Sequence, residues 1–248
     1  MLATLLLPAL ASAEPAMQFI AKDFNASAWN AVSGTATWQS VHPATNGWSL
    51  ATKNGGAVWF HGASVGGGGA SPLRIEDSAT CFISHAFAVV YCDDAADYST
   101  LLDAPCPVAF EKVTEFDDAP APPRLLTEVM LCNTNAVAVN GEDDLVVSFK
   151  PSLQLLEARF DLPCALDEIF LGGSIVSPAW NENWRGGVSE LILCHEAPTD
   201  AQRNAVRRYL SARHSLRIAT QADSGIIATL AAMGIDDFGV FNSVIMVR

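Results

Sequence analysis

Basic residues are scarce in this sequence. It contains 14 lysines and arginines against 27 aspartates and glutamates, a formal net charge of −13, with a pI of about 4.6. Nucleic-acid phosphates and anionic lipids are themselves negative, so a surface of this sign disfavours both. We therefore expect no nucleic-acid partner. The acidity also keeps an apolar-rich chain soluble, and exposed carboxylates suit calcium.

The sequence also lacks CxxC pairs and long apolar runs. Without CxxC pairs, a zinc ribbon or a thioredoxin-like site has no support. No apolar run reaches the roughly 20 residues that span a bilayer, so we expect no transmembrane segment. An even cysteine count allows three disulfides, but most of these residues lie in apolar strand-like runs, which favours mostly free, buried thiols. The six are Cys81, Cys92, Cys106, Cys132, Cys164 and Cys194.

Short apolar segments separated by turn residues dominate the chain. Half of the residues are hydrophobic, and 17 glycines and 13 prolines supply turns. Asn140-Gly141 predicts a tight hairpin turn, because both residues tolerate positive φ. The pattern predicts a mainly β protein, a sandwich or a barrel. The main strand candidates are 17–20, 57–60, 81–91, 108–113, 126–131, 136–139, 145–149, 153–160, 168–171 and 188–194.

One α-helix is predicted on the C-terminal side of these strands. Thr199 and Gln202 have the spacing of a capping box, which marks a helix start. An apolar stripe of Val206, Tyr209 and Leu210 follows at helical spacing and is expected to pack on the sandwich. The other side carries Arg203, Arg207 and Arg208, and we expect that side to face solvent.

Two apolar segments lie at the ends of the sequence. Residues 1–16 contain an A-x-A motif typical of signal cleavage sites, but no basic residue precedes the apolar run, so we expect a retained arm. Residues 218–248 predict a short helix and a buried strand. Either both segments pack on their own protein, or they contact neighbouring molecules. The candidate assembly residues are Leu5, Leu6, Leu7, Ile226, Ile227, Leu230, Phe241, Val244 and Ile245.

The passage from Leu171 to Leu216 resembles the end of a laminin-G-like, concanavalin A-like lectin domain. The resemblance implies an antiparallel two-sheet β-sandwich of jelly-roll type over residues 17–217. It also implies binding of glycans or proteins, or a structural role at a surface. The residues that match the family pattern are Trp184, Gly187, Val188, Glu190–Leu193, Thr199–Arg203, Tyr209, Leu210 and Ala212.

Two patterns raise the question of catalysis. Ser64 lies in a G-x-S-x-G motif, but four glycines follow, so the helix that a nucleophile elbow requires cannot start there. Glu157 and Asp161, four residues apart on a predicted strand, could form a glycosidase pair, although the related glucanase pattern of three acids is absent. We therefore expect no enzyme, with a Ser64 esterase as the remote alternative.

Two sets of residues are candidates for ligand binding. Trp180 and Trp184 flank Asn181, Glu182 and Asn183, an arrangement that suits sugar rings and hydroxyls unless both indoles pack inside the protein. The loop residues Asp93, Asp94 and Asp97 could hold calcium, although acidic loops more often face water. No cofactor is otherwise required. His85, within an apolar strand, is expected to be a hydrogen-bonded core residue.

Two functions follow as the main hypotheses. The first is a non-catalytic structural or adhesive module of a larger assembly, such as a virion, an appendage or a cell surface, with protein partners or copies of itself. The second is a monomeric carbohydrate-binding module. Both place the protein outside the cell or on a virion.

Overall fold

The computed structural model describes fifteen stretches of the chain. These are residues 16–24, 28–32, 36–40, 48–51, 56–61, 73–76, 82–92, 101–103, 111–113, 124–126, 134–142, 152–165, 169–172, 184–218 and 225–235. Within them the protein is mainly β, as predicted, with two antiparallel sheets and two α-helices.

The strands, in chain order, are β1 (Met17–Ile20), β2 (Ala28–Asn30), β3 (Thr37–Ser40), β4 (Trp48–Ala51), β5 (Ala57–His61), β6 (Leu73–Glu76), β7 (Phe82–Cys92), β8 (Leu102–Asp103), β9 (Glu111–Val113), β10 (Arg124–Leu126), β11 (Thr134–Val139), β12 (Leu153–Ala165), β13 (Phe170–Leu171) and β14 (Arg185–Cys194). The helices are α1 (Asp200–His214) and α2 (Ile226–Ala232).

The larger sheet has seven strands in the order β11-β12-β7-β14-β5-β4, and β1 also pairs with β14. The smaller sheet has five, in the order β2-β3-β6-β13-β8, while β9 and β10 pair separately. The first apolar cluster contains residues of both sheets, among them Trp29 and Trp38 from the smaller and Ala88 and Leu191 from the larger. The two sheets therefore pack face to face as a sandwich, which confirms the predicted architecture.

Strand β7 is buried on both faces. Ala86, Ala88 and Val90 belong to the core between the sheets, whereas Phe87 and Val89 belong to a second apolar cluster. Side chains alternate along a strand, so one strand can contribute to both clusters. Because both faces are covered, β7 reads as a nearly continuous apolar run.

The two helices form a third layer over the larger sheet. The stripe Val206, Tyr209 and Leu210 is buried as predicted, and Ile226 and Leu230 of α2 lie in the same cluster. The predicted capping box is present: Gln202 N donates to Thr199 Oγ1 and Thr199 N donates to Gln202 Oε1. The helix predicted within residues 218–248 is α2, and it packs on the sandwich.

Two further local predictions are confirmed where the described residues test them. Asn140 and Gly141 both have positive φ, at 53° and 82°, in a turn closed by Val139 and Glu142. Cys92 and Cys194 are buried, and Cys194 is a free thiol. Within the described ranges, no helix has the length and apolar character needed to cross a membrane. The strand candidate at 145–149 lies outside the described residues.

Candidate functional site

Two carboxylates lie buried beneath the helix layer, one on each side of β7. Glu157 on β12 is paired in register with Phe87, and Glu190 on β14 with Val89. Their side chains are 1% and 0% exposed. A buried carboxylate is stable as an ion only when cations and hydrogen-bond donors surround it, so the partners of each decide its role.

Arginines of α1 neutralise Glu157. Arg207 donates from Nε to Oε1 at 2.5 Å and from Nη2 to Oε2 at 3.0 Å, the two-point geometry that favours an arginine–carboxylate pair. Arg203 Nη2 donates to Oε2 at 3.2 Å. The prediction that this side of α1 faces solvent is therefore wrong for Arg203 and Arg207. The buried acid on the neighbouring strand draws both guanidinium groups inward.

A larger set of polar groups surrounds Glu190. Gln18 of β1 donates to Oε1 at 2.5 Å, while Arg213 Nε and His214 Nε2 donate to Oε2 at 2.9 and 2.7 Å. Gln18 and Arg213 also donate to the hydroxyl of Tyr209, at 2.7 and 3.2 Å. Glu190 thereby connects the last turns of α1 to β14 and β1. The helix layer buries this strand position fully.

His85 is buried, as predicted, but the expected hydrogen bonds to its ring are not found in the described part of the chain. Neither ring nitrogen has a hydrogen-bond partner among the described residues, and Nε2 lies 3.9 Å from Glu157 Oε2. Burial lowers the pKa of His85 from 6.5 to about 3, with smaller contributions from Arg203, Arg207 and Arg159. The imidazole is therefore neutral near pH 7.

The other reactive groups under the helices are also held in their neutral forms. Burial raises the pKa of the Cys194 thiol to about 12. Burial, and then the charge of Glu190, raises the pKa of Tyr209 above its usual range. A buried thiol is a poor nucleophile, and Glu157 is enclosed by arginines rather than open to a substrate. This region is suited to holding α1 on the sheet.

An open cleft lies at the end of α1, where it meets the Asn140-Gly141 turn. Its volume is about 480 Å³, within the range of ligand-binding pockets. Part of its wall is His214, which is anchored to Glu190. The residues that line it are Asn140, Ser152, Leu153, His214, Ser215, Leu216 and Arg217.

The candidate sugar-binding tryptophans fall into two groups. Trp184 is 1% exposed and lies in the core between the sheets. Its backbone N–H donates to Gly172 O at 3.2 Å, and its indole Nε1 has no hydrogen-bond partner among the described residues. An indole in that position has no free face for a sugar ring, so Trp184 cannot act as the stacking platform that we expected. Residues 180–183, which include Trp180, Asn181, Glu182 and Asn183, lie outside the described residues.

The candidate assembly residues also divide. Ile226 and Leu230 are buried under the helix layer and so are not available to a neighbour, whereas Ile227 is 44% exposed. The remaining six lie outside the described residues: Leu5, Leu6, Leu7, Phe241, Val244 and Ile245. So do the calcium candidates Asp93, Asp94 and Asp97, which follow the end of β7, and Ser64. No cluster of three or more metal-ligating side chains occurs in the part of the chain that the structure describes.

Sequence reasoning missed the two ionic clusters and the cleft. The sequence did contain a signal for the ionic clusters. Glu157 and Glu190 interrupt apolar strands. Arg203 and Arg207 lie four residues apart, on one helix face. The sequence contained no comparable signal for the cleft. It forms where the end of a helix meets a turn about 75 residues earlier in the chain.

Comparison with known proteins assigns no family. No family model and no curated protein matches the chain. A structure of Trypanosoma rangeli sialidase with the inhibitor DANA is 17% identical, with a TM-score of 0.44, over 88% of this chain and 36% of that one. A second, with 2,3-difluorosialic acid as a covalent intermediate, is 16% identical, with a TM-score of 0.43, over 73% and 30%. The chain spans about a third of the length of these structures, and similarity at this level establishes neither family nor activity; the concanavalin A-like superfamily stays a prediction from the sequence.

Proposed function

We propose that this protein is a non-catalytic structural or adhesive module of a larger assembly, and that it associates through the apolar segments 1–15 and 236–248. One hydrogen bond carries the proposal. Ala16 N donates to Met233 O at 2.8 Å, and Ala16, Met233 and Ile235 are buried in the same cluster. The points at which the two segments join the described body are therefore side by side.

The composition of the two segments supports a shared contact surface. Among residues 1–15, Glu14 is the single charged side chain, and the stretch GVFNSVIMV near the other end has none. Apolar segments that start from one place can present a joint apolar surface, and such surfaces mark interaction sites. Leu5–Leu7, Phe241, Val244 and Ile245 are the residues that we propose make the contact.

The body that carries these segments is suited to a structural role. Two ionic clusters hold α1 to β12 at one end and to β14 and β1 at the other. The anchoring groups are charged and enclosed. Moving α1 off the sheet would separate the buried carboxylates from their partners, which costs free energy. A body held together in this way, with apolar segments attached at neighbouring points, suits an assembly subunit, which we propose to place at a cell surface, outside the cell or on a virion.

Light scattering after gel filtration tests the assembly role. We expect the full chain to form a discrete oligomer or a polymer, and the double variant Leu6→Asp/Val244→Asp to shift towards the 26.3 kDa monomer. Val32→Asp is the control, since Val32 is 49% exposed and lies outside both segments. A monomeric full chain at every concentration would reject the proposal, as would an oligomer that the double variant leaves unchanged.

Active-site labelling tests the non-catalytic part. We expect no covalent labelling of the folded protein by a fluorophosphonate, because the sequence after Ser64 continues with four glycines, where an activated serine of this type requires a helix. Mass spectrometry of the treated chain gives the answer. A stoichiometric adduct that Ser64→Ala abolishes would replace this proposal with an esterase.

Ligand recognition is the second candidate function, and the cleft at the end of α1 is the observation that favours it. Calcium at Asp93, Asp94 and Asp97 stays a proposal alongside it, as does a sugar contact by Trp180. Neither is required for the assembly role.

A further inference from the structure

We infer that His85 controls the attachment of the first half of α1, residues 200–208. When its imidazole takes up a proton, these residues lift from the larger sheet, while the last turns of the helix stay attached to Glu190. This release is a property of the helix layer and does not depend on the assembly proposal. His85 lies on β7, a central strand of the larger sheet, and is 2% exposed.

Strand register fixes the position of His85 under the helices. Arg159 of β12 and Cys194 of β14 are its cross-strand partners, and such partners lie on one face of a sheet. That face is the one under the helices, because Cys194 and Phe87, the next residue of β7 on it, belong to the cluster that α1 covers. The rings of His85 and Phe87 have centroids 4.5 Å apart. The imidazole is therefore enclosed between the sheet and the helix layer.

The charged groups around His85 are mostly cations. Glu157 is the nearest acid, with Oε2 3.9 Å from His85 Nε2. Asp200, an acid near Arg203, is fully exposed, and α2 contains no ionisable side chain. One buried carboxylate thus faces three arginines before His85 gains any charge. The ionisable groups that face His85 are Glu157 and Arg159 of β12, Cys194 of β14, and Arg203 and Arg207 of α1.

Glu157 is already occupied by the groups that hold α1. Arg207 donates to both of its oxygens, and Arg203 donates to Oε2. A protonated imidazole beside Oε2 would compete with these bonds. Neither ring nitrogen of His85 has a hydrogen-bond partner among the described residues, and nor does Arg203 Nε, so a proton adds a donor where acceptors are already lacking. Arg203 and Arg207 are the groups that can move, because they are 25% and 16% exposed.

The pKa of His85 sets the pH range of the release. Burial, and then the arginines, lower this pKa from 6.5 to about 3. When residues 200–208 lift, the imidazole regains water and leaves Arg203 and Arg207, so its pKa returns towards 6.5. Between these values the released form binds a proton that the docked form does not. The population of the released form therefore rises about tenfold per pH unit below pH 6.5, and about 100-fold between pH 7 and pH 4.5.

The last turns of α1 respond differently to acid. His214 Nε2 already donates to Glu190 Oε2, and a protonated ring keeps this bond because both of its nitrogens are donors. Arg213 and Gln18 bind the same carboxylate. The Glu190 cluster therefore remains the fixed end about which the first half of the helix moves.

The first half of α1 also borders the place where the two apolar segments start. A gap of about 60 Å³ is lined by Cys194, by Gln202 of α1, and by Ala16 and Met233, which share a hydrogen bond. Lifting α1 removes Gln202 from this wall and loosens the attachment of segments 1–15 and 236–248. This consequence, unlike the release itself, rests on the proposed assembly function. An assembly held by these segments should dissociate in acid.

Hydrogen exchange on the full chain at pH 7 and pH 4.5 measures the release. Mass spectrometry with fragmentation separates residues 203–208 from residues 211–214. A detached half-helix is too short to be stable in water, so its amides exchange. After correction for intrinsic exchange rates, we expect the protection of residues 203–208 to fall about 100-fold. Residues 211–214 and the strands β3 and β6 should remain better protected at pH 4.5.

Two variants that cannot titrate assign the effect to His85. In His85→Gln and in His85→Leu, the protection of residues 203–208 should change by less than about twofold between the two pH values. His195→Gln is the matched control, because His195 follows Cys194 directly and its ring Nδ1 lies 2.9 Å from the carbonyl oxygen of Phe82. This control should keep the 100-fold fall of the parent, a factor set by His85 alone.

The other outcomes overturn the inference. A flat pH profile for residues 203–208 of the parent rejects it, even if both His85 variants fail to fold. An acid response that persists in the variants also rejects it. Equal losses along α1 and in β3 and β6 show unfolding of the whole protein instead of a local release.

Light scattering on the same samples judges the assembly separately. A chain that is monomeric at pH 7 rejects the assembly proposal, and the exchange data still decide the release. An oligomer that persists at pH 4.5, after residues 203–208 have lost their protection, overturns the link between the release and the assembly.

Discussion

Replacing Glu190 by alanine is expected to destabilise the fold by about 3–5 kcal/mol, the usual effect of removing one partner of a buried ion pair. Arg213 and His214, which are 12% and 13% exposed, would lose their shared acceptor. Gln18, a fully buried residue of β1, would lose one of the two acceptors of its side-chain amide. The polar groups left behind have little access to water, and their desolvation is the physical cause of the loss.

Chemical denaturation measures this effect. Glu196→Ala is the control, because Glu196 is exposed just after β14 and its removal should change stability by less than about 0.5 kcal/mol. Glu157→Ala should cost less than Glu190→Ala, because its partner Arg203 is 25% exposed and regains water more readily. A loss below about 1 kcal/mol for Glu190→Ala would show that the cluster does not anchor α1.

Acid is expected to destabilise this protein through His85. Its pKa is 6.5 in the unfolded chain and about 3 in the folded protein. Between these values the unfolded chain binds a proton that the folded protein does not. Stability attributable to this group is therefore unchanged above pH 6.5 and falls as the pH decreases, by about 1.4 kcal/mol per pH unit between pH 6 and 4.

Two variants that do not titrate isolate this contribution. In both His85→Leu and His85→Gln, the difference in free energy of unfolding from the parent should change by about 1.4 kcal/mol for each pH unit over that range. Other groups titrate in the parent and in the variants alike, so the difference reports His85. Equal pH slopes in all three proteins would contradict a buried, neutral imidazole beside Glu157, Arg203 and Arg207.

The Glu190 cluster also links stability to the proposed binding site. His214 belongs both to that cluster and to the cleft wall. A Glu190 variant that still folds should therefore weaken ligand binding in the cleft without any change to the other residues that line it. The assembly proposal does not predict this effect of a Glu190 variant, because Leu6 and Val244 lie in other segments of the chain. The two functions can therefore be tested separately, and one protein can perform both.

Local features were predictable from the sequence because neighbouring residues decide them. Thr199 and Gln202 form the capping box that starts α1, and its buried stripe follows the helical period. Asn140-Gly141 adopts the left-handed turn that its residue types favour. Many short apolar segments with turn residues between them were sufficient to indicate a mainly β sandwich, since each segment needs one or two apolar faces to bury.

Features that depend on distant contacts were not predictable in the same way. Arg203 and Arg207 have the spacing of a solvated helix face, but they turn inward because Glu157, almost 50 residues earlier, lies under that face. Trp184 has the neighbours of a sugar-binding tryptophan, but it lies immediately before β14 and packs between the sheets. In both cases the partner lies on another strand, whose register the sequence does not state.

The sequence by itself determined the class of fold, the start of α1, the turn at Asn140 and the acidic character of the protein. These depend on composition and on contacts within a few residues. Only the tertiary structure decided that Glu157 and Glu190 anchor the helix layer, that His85 is buried without a hydrogen-bond partner among the described residues, and that Ser152 and Ser215 share a cleft. The physical reason is that burial and electrostatic pairing are set by which strands and helices pack together. That packing is a property of the whole chain.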